Sequence, residues 1–174
     1  IRERSVSRGL GDVYKRQNQD KAQDYIQELS RVLRYTLQSN ESQSVSLREE
    51  MEFASAYIFL LKMRFENNLQ FDIQIAKSFE DYRLPPMAVQ VLIENAVKHN
   101  EISDRKPLTI HIVTNNEGYL SVSNDIQPKR TAASGTGIGL VNLAKRYRLL
   151  FKQDIQITED KEFSVCIPLI DEVQ

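Results

Sequence analysis

The sequence predicts an α+β fold: a sandwich in which helices cover one face of a mixed sheet of about five strands, preceded by a separate helix. Three observations predict it. Helical and strand-like periodicities interleave along the chain, charged or glycine-containing turns join two pairs of strands as hairpins, and longer helical segments separate the others. At 174 residues, 41% of them hydrophobic, the chain is long enough for one compact domain and a helical appendage.

Composition excludes several classes of protein. The chain has 23 basic and 24 acidic side chains, and this balance argues against a protein that binds nucleic acid. The single cysteine, Cys166, excludes an internal disulfide, and with only two histidines we expect no cysteine or histidine metal site. No apolar run approaches the roughly 20 residues that span a bilayer. We therefore expect a domain that works in a reducing cytoplasm.

The first part of the chain predicts a leader followed by a helix. Residues 1–17 show no sustained period, and we interpret them as a non-native adaptor or a disordered basic tail. From Lys21 to about Ser39, apolar residues recur every three or four positions and form a narrow seam. Such a seam is typical of a helical hairpin or a dimeric bundle.

The remaining elements follow in order. Ser46–Glu49 forms a predicted capping box that opens a second helix to about Asn67. Pro85-Pro86 open a third helix, and a fourth runs from about Leu140 to Phe151. Alternating apolar and polar residues predict strands at 69–75, 108–113, 119–122, 154–158 and 163–169, and the polar stretch 124–137 predicts a loop.

The third helix carries the first candidate site. At about 100° per residue, its apolar positions gather on one side, and four chemically different polar residues fall within roughly 140° on the other. These are Glu94, Asn95, Lys98 and His99. A solvated face with a Glu94–Lys98 pair is one interpretation. The mixture of acid, amide, base and imidazole, interrupted by Met87 and Val91, favours a partly buried polar site.

The second candidate site is the glycine-rich turn Gly135-Thr136-Gly137-Ile138-Gly139-Leu140 before the fourth helix. Glycine permits close approach by a ligand, and free amides at a helix start attract phosphate. By itself this signal is weak. It is neither the dinucleotide fingerprint nor a P-loop, because no GxGxxG follows an early strand and no Gly-Lys-Ser/Thr is present.

Taken together, the motifs resemble a known family. LIENAVKHN (92–100) resembles the N-box of the GHKL ATPase superfamily, and GTGIGLVN (135–142) resembles its second glycine box. LSRVLRYTL (29–37), SLREEMEFASAYIFLLKMRF (46–65) and LPPMAVQVLIENAVKHN (84–100) resemble the LytS-type sensor histidine kinases. The resemblance implies a Bergerat-type sandwich. It divides the chain into a remnant of the dimerisation and phosphoacceptor hairpin (18–42) and a catalytic ATP-binding domain (43–174).

The resemblance also implies roles for single residues. Asn95 would hold Mg²⁺ on the triphosphate of ATP, and Glu94 would orient or activate the reacting group. Asn124 stands where the first glycine box has an aspartate that accepts a hydrogen bond from the adenine amino group, and here the acceptor is uncharged. Positions implied to lie near phosphate or ribose are Lys98, His99, Gly135, Gly137, Ile138, Gly139, Leu140 and Asn142.

One family motif is absent. The phosphoacceptor histidine of this family lies in an NPHFLFN-like motif before LSRVLRY, and neither His99 nor His111 replaces it. We therefore expect the γ-phosphoryl group to go to a histidine outside this fragment, which would not autophosphorylate alone. Implied partners are the missing phosphoacceptor helix, a LytTR-type response regulator and a second copy in a homodimer, with the intact parent anchored in the bacterial inner membrane.

Two other functions stay open. The altered first glycine box allows a degenerate, non-catalytic nucleotide-binding or dimerisation module, which Mg-dependent ATP binding would exclude. A GHKL ATPase of the chaperone or mismatch-repair kind is disfavoured by the kinase-type helical segment at 20–65 and by the lack of a transducer sequence downstream.

Overall fold

The computed structural model describes residues 3–39, 42–130 and 137–172. Within these ranges the chain forms four α-helices: α1 (Glu3–Ser39), α2 (Leu47–Phe65), α3 (Ala88–His99) and α4 (Ile138–Phe151). The strands are β1 (Val45–Ser46), β2 (Leu69–Gln74), β3 (Arg83–Leu84), β4 (Leu108–Thr114), β5 (Tyr119–Asp125), β6 (Gln156–Glu159) and β7 (Glu162–Pro168). Two single 3-10 turns lie at Glu66–Asn68 and Lys77–Phe79.

The main sheet has five strands in the order β2-β4-β5-β7-β6. The pair β2 and β4 is parallel, with Leu69 opposite Leu108, and the other three pairs are antiparallel. The prediction of a mixed five-stranded sheet is confirmed. A separate antiparallel pair, β1 with β3, was not predicted, because strands of two residues are too short to show a period.

One face of the sheet carries the hydrophobic core. Alternate strand residues such as Ile110, Ile112 and Val122 are buried and share a cluster with apolar residues of α2, α3 and α4. Residues between them, such as Thr109 and Ser121, are more exposed. The predicted sandwich with helices on one face is confirmed.

The capping box that opens α2 forms as predicted. The hydroxyl oxygen of Ser46 accepts a hydrogen bond from the Glu49 amide at 3.2 Å, and Glu49 Oε2 accepts one from the Ser46 amide at 2.8 Å. Each contact satisfies an amide that the first turn of a helix leaves free. The start of α2 is thereby fixed, and Glu50 follows immediately.

The first helix is longer than predicted. It begins at Glu3, whereas the apolar seam predicts a helix only from about Lys21. Residues 3–20 show no sustained apolar period, but they contain no proline, so a helix formed further along can continue through them. The end of α1 does not project freely, because the Tyr35 ring stacks on Phe53 of α2 at a centroid distance of 4.2 Å. The assignment of 1–17 as a non-native leader stays a prediction.

Several other boundaries differ from those predicted by one to three residues, and two of them have a clear structural cause. Helix α3 begins at Ala88 rather than at Pro85-Pro86, because Met87 adopts a left-handed conformation (φ 64°) and serves as its N-cap. Strand β5 continues to Asp125, because Asn124 and Asp125 pair with Phe163 and Glu162 of β7. Polar residues at the end of a strand carry no apolar signal, which is why the sequence predicted a loop there.

Among the described residues, no helix combines the length and the apolar character that crossing a membrane requires.

Candidate functional site

The two faces of α3 differ as the helical wheel predicts. Its apolar face is buried in the core, with Val89 and Ile93 at 0% exposure. On the other face Glu94, Lys98 and His99 are exposed and Asn95 is half-buried. Within the described chain, these four side chains make no hydrogen bond or ion pair, and the Glu94–Lys98 pair of a solvated face does not form. The face is therefore polar and unpaired.

The start of α4 lies against this face. Gly137 is its N-cap with a left-handed φ of 59°, a conformation that glycine adopts without steric cost. A Cβ placed on Gly139 would stand 3.4 Å from Val91 Cγ1 of α3, so the two helices approach closely here. Among the residues that the structure describes, no side chain caps α4 by a hydrogen bond. Its first backbone amides therefore remain available as donors to a ligand.

These two helix segments enclose one cleft. Its walls are the polar face of α3 and the beginning of α4, and its volume is about 100 Å³. The residues that line it are Val91, Glu94, Asn95, Lys98, His99, Gly137, Ile138, Gly139 and Leu140. The structure thus brings together eight of the predicted site residues from two distant stretches of sequence. The volume suits a few phosphate oxygens rather than a whole nucleotide.

Three predicted residues lie elsewhere. Gly135 is outside the described residues. Asn142 is exposed one turn further along α4 and does not line the cleft. Asn124 does not line it either: it is 2% exposed near the end of β5, and its Nδ2 donates a 2.7 Å hydrogen bond to the Asp125 carbonyl oxygen. The roles implied for these three residues stay predictions.

The segment after β5 is attached to the end of α3. Asn100 Oδ1 accepts a hydrogen bond of 2.7 Å from the Gln127 amide, and the Glu101 amide donates one of 2.6 Å to the Gln127 carbonyl. The Lys129 amide donates to the His99 carbonyl at 3.4 Å. Residues 127–129, which precede the glycine-rich turn in the sequence, therefore lie beside the C-terminal end of α3.

A tyrosine that the sequence analysis did not select also interacts with the site. Burial, and then the negative charge of Glu94, raise the pKa of Tyr57 to about 12, while Arg64 opposes the shift. The Tyr57 hydroxyl therefore stays protonated at neutral pH. The sequence could not identify Tyr57 as a site residue, because a tyrosine within an apolar helical run is more often part of the core.

The side chains at the cleft could bind a metal ion only through a few oxygen ligands. The described residues contain no group of three or more histidine, cysteine, aspartate or glutamate side chains able to hold a metal ion. They do offer the amide oxygen of Asn95 and the carboxylate of Glu94 at the cleft. Mg²⁺ is commonly held by one or two such oxygens together with substrate phosphates and waters. The donor set therefore fits a magnesium ion that arrives with a phosphate ligand.

A larger open groove of about 810 Å³ lies between α1 and α2, where its walls include Arg31, Tyr35 and Phe53. It contains neither a glycine-bearing helix start nor any of the predicted site residues. Volume alone is therefore a poor guide to the functional site of this chain, and the smaller cleft is the better candidate.

Comparison with known proteins identifies homologues over most of the chain. A family model described as histidine kinase matches residues 10–69, a match that begins inside the segment 1–17. The sensor protein LytS of Streptococcus mutans serotype c is 34% identical over 157 residues, which are 81% of this chain and 27% of that protein. The sensor histidine kinase/phosphatase LytS of Staphylococcus aureus is 29% identical over 151 residues, 77% of this chain and 26% of that protein. The chain thus spans about a quarter of the length of these relatives.

Solved structures show the same fold. The catalytic domain of the histidine kinase ThkA, in a nucleotide-free form, aligns with a TM-score of 0.51 at 18% identity, covering 74% of this chain and 99% of that one. The histidine kinase domain of a blue-light activated histidine kinase of Erythrobacter litoralis aligns with a TM-score of 0.50 at 14% identity, covering 90% of this chain and 83% of that one. The sandwich is therefore the fold seen in these histidine kinase catalytic domains, and over most of its length the chain is a homologue of the LytS sensor histidine kinases.

Proposed function

We propose that this chain binds ATP with Mg²⁺ and transfers the γ-phosphoryl group to a histidine that lies outside these 174 residues. One observation carries the proposal. The polar face of α3 and the glycine-bearing start of α4, which have no side-chain partners within the described ranges, meet at one cleft. Phosphoryl transfer requires positioning and charge stabilisation rather than covalent chemistry by the protein, and this cleft supplies groups for both.

In this proposal each wall of the cleft has its own task. Asn95 contributes its amide oxygen to the Mg²⁺, and Glu94 orients or activates the reacting group. The amides of Ile138, Gly139 and Leu140 donate to phosphate oxygens, since they lie at the positive end of the α4 dipole. Further contacts to phosphate, ribose or adenine come from Lys98, His99, Asn124, Gly135, Gly137 and Asn142.

The phosphoacceptor in this proposal is neither histidine of the chain. His111 lies on β4, and its Nδ1 is 3.1 Å from Oδ2 of Asp72 on the neighbouring strand. His99 belongs to the last turn of the helix that binds the nucleotide, so we assign it to ligand contact. Incubated with labelled ATP and Mg²⁺, the chain alone should gain no acid-labile phosphate, and labelling lost on replacement of either histidine would contradict this assignment.

The proposal extends to the intact protein. Residues 18–42 represent part of the dimerisation and phosphoacceptor hairpin, and 43–174 the catalytic domain. The partners are the chain's own phosphoacceptor helix, a second copy in a homodimer and a response regulator of the LytTR type, with the parent anchored in the bacterial inner membrane. The similarity to LytS proteins supports these partners.

Calorimetric titration of the chain with ATP, in Mg²⁺ and separately in EDTA, tests the proposal. We expect saturable binding that weakens when the metal is removed, because the donor set at Asn95 and Glu94 fits a metal held chiefly by phosphate oxygens. GTP serves as the control ligand for recognition of the base. Absence of binding under both conditions would contradict the proposal and favour the non-catalytic module.

A further inference from the structure

Glu50 is the one charged side chain that the described part of the chain buries completely, with 0% exposure in the first turn of α2. A carboxylate without partners would be strongly destabilising in such a place. It lies outside the cleft, and the proposed function assigns it no role. Its hydrogen-bond partners show what it does.

Two of those partners are backbone amides at the start of α3. Oε2 accepts a hydrogen bond of 3.0 Å from the Met87 amide, and Oε1 accepts one of 2.9 Å from the Val89 amide. Met87 is the N-cap of α3, holds a left-handed φ of 64° and makes no side-chain cap of its own. Glu50 therefore supplies, from a different helix, the cap that the local sequence of α3 lacks.

The third partner belongs to α1. The Tyr35 hydroxyl donates a hydrogen bond of 2.8 Å to Glu50 Oε2, while its ring stacks on Phe53. Burial, and then the charge of Glu50, raise the pKa of Tyr35 well above its ordinary value, so the hydroxyl remains a donor. A single side chain thereby connects the helix before the catalytic domain with the cap of α3.

Helix α4 also contacts the residues just before α3. Arg146 of α4 donates a hydrogen bond of 2.8 Å to the Pro86 carbonyl, one residue before Met87. Its charge favours the ionised form of Glu50 and opposes the effect of burial. The charged and titratable groups around Glu50 are therefore Tyr35 and Arg146, with Tyr147 receiving its electrostatic influence.

Helix α3 connects this capping point with the cleft. It contains twelve residues, and Glu94 and Asn95 lie about two turns after Met87. Because a helix with a buried face moves as a packed unit, a shift at its first turn is transmitted to its polar face. We propose that Glu50 is a positioning residue for the cleft, and that the Tyr35–Glu50 hydrogen bond couples α1 to the placement of Asn95. This inference rests on the proposed function in that it assumes the cleft binds Mg-ATP.

The test compares Tyr35→Phe with Tyr25→Phe in the full chain. Tyr35→Phe removes the hydroxyl and keeps the stacked ring, while Tyr25→Phe makes the same change at an exposed tyrosine of the same helix. In the nucleotide-free chain we expect Tyr35→Phe to shift the Asn95 side-chain amide resonance and to speed hydrogen exchange at Met87 and Val89. We also expect an Mg-ATP Kd at least about twofold higher. Tyr25→Phe should match the wild type in all three measurements.

A double-mutant cycle with Glu50→Gln identifies the route. If the coupling runs through Glu50, Tyr35→Phe will change the Kd little further in the Glu50→Gln background. A Tyr35→Phe chain that loses only unfolding free energy, with the Asn95 resonance and Kd of the wild type, would overturn the inference. An undiminished effect of Tyr35→Phe in the Glu50→Gln background would do the same.

The two proposals fail in different ways. If the wild-type chain binds no Mg-ATP, the proposed function fails. The resonance of Asn95 and the exchange of Met87 and Val89 still decide the coupling, because they are measured without nucleotide. If Glu50→Gln does not fold, the same two measurements on Tyr35→Phe and Tyr25→Phe decide it: a shift confined to Tyr35→Phe supports the coupling, and equal behaviour of the two variants overturns it.

Discussion

Gly139 at the start of α4 lies so close to α3 that a Cβ added to it would stand 3.4 Å from Val91 Cγ1. Gly139 and Val91 both line the cleft, one on each of its walls. A methyl group fits there at ordinary van der Waals distance, and we expect the additional methyl groups of a branched side chain to press against Val91. We therefore expect the width of the cleft to depend on the small size of the residue at position 139.

Replacing Gly139 with valine should therefore widen or distort the cleft. Overpacking a close contact costs about 1–3 kcal/mol, so the Mg-ATP Kd should rise about tenfold in Gly139→Val, as measured by calorimetry. Gly139→Ala is the matched control, and its Kd should remain within about twofold of the wild type. Equal affinities of Gly139→Val and the wild type would show that this contact does not define the site.

Gly137 is expected to matter for a different reason. Its φ is 59°, and no atom of the described residues lies within 4 Å of the position that its Cβ would occupy, so a substitution there meets backbone strain without a clash against them. Gly137→Ala should lower the free energy of unfolding by about 1 kcal/mol in urea titrations. Gly137→Asn should cost less, because asparagine tolerates the left-handed region better. Equal costs for alanine and asparagine would contradict a backbone origin.

Glu50 should make stability depend on pH. Burial raises its pKa, while hydrogen bonds from Tyr35, Val89 and Met87 oppose the shift without cancelling it. The folded state thus binds the proton more tightly than the unfolded state. The resulting stabilisation is fully present below the unfolded pKa of about 4.3 and is lost as pH rises through the folded pKa.

Urea titrations of the wild type and Glu50→Gln over a pH series measure this effect, because glutamine does not titrate. The free energy of unfolding of the wild type, relative to Glu50→Gln, should fall as pH rises above about 4.3. A relative stability that rises over this range would mean that the three donors outweigh burial. A constant difference would mean that the carboxyl does not titrate differently in the two states.

Asn124 should not tolerate a carboxylate. It is 2% exposed, and its Nδ2 donates to the Asp125 carbonyl oxygen at 2.7 Å. In Asn124→Asp, an acceptor replaces that donor, so the free energy of unfolding at neutral pH should fall by about 1–3 kcal/mol. Asn116→Asp in the exposed turn between β4 and β5 should change it by less than about 0.5 kcal/mol. Equal stability of both variants would contradict the role of this hydrogen bond.

The sequence predicted correctly those features that depend on local hydrophobic periodicity and on helix capping. The apolar and polar faces of α3, the capping box of α2 and the five strands of the main sheet all follow from local patterns, and the structure confirms them. The glycines at 137 and 139 were selected for the freedom that a helix start beside a ligand requires. The structure shows one with positive φ and the other in close approach.

Contacts between distant segments could not be predicted in this way. Nothing in the spacing of Glu50 indicates that its carboxylate caps a helix that begins 38 residues later, because the contact depends on how α2 and α3 pack. The same holds for the hydrogen bond that the Gln127 amide donates to Asn100 Oδ1, since the two residues are 27 positions apart in the sequence. The start of α3 was wrongly predicted at the prolines, because the carboxylate that caps this helix belongs to Glu50 of another helix.

Calorimetric titration of Asn95→Ala with Mg-ATP tests the central claim most directly. Asn95 is half-buried at the cleft and has no partner among the described residues, so the change should leave the fold and the unfolding transition intact. We predict that Asn95→Ala loses Mg-dependent ATP binding, while Asn116→Ala, in the exposed β4–β5 turn, binds as the wild type does. Wild-type affinity of Asn95→Ala in the presence of Mg²⁺ would contradict the assignment of this cleft.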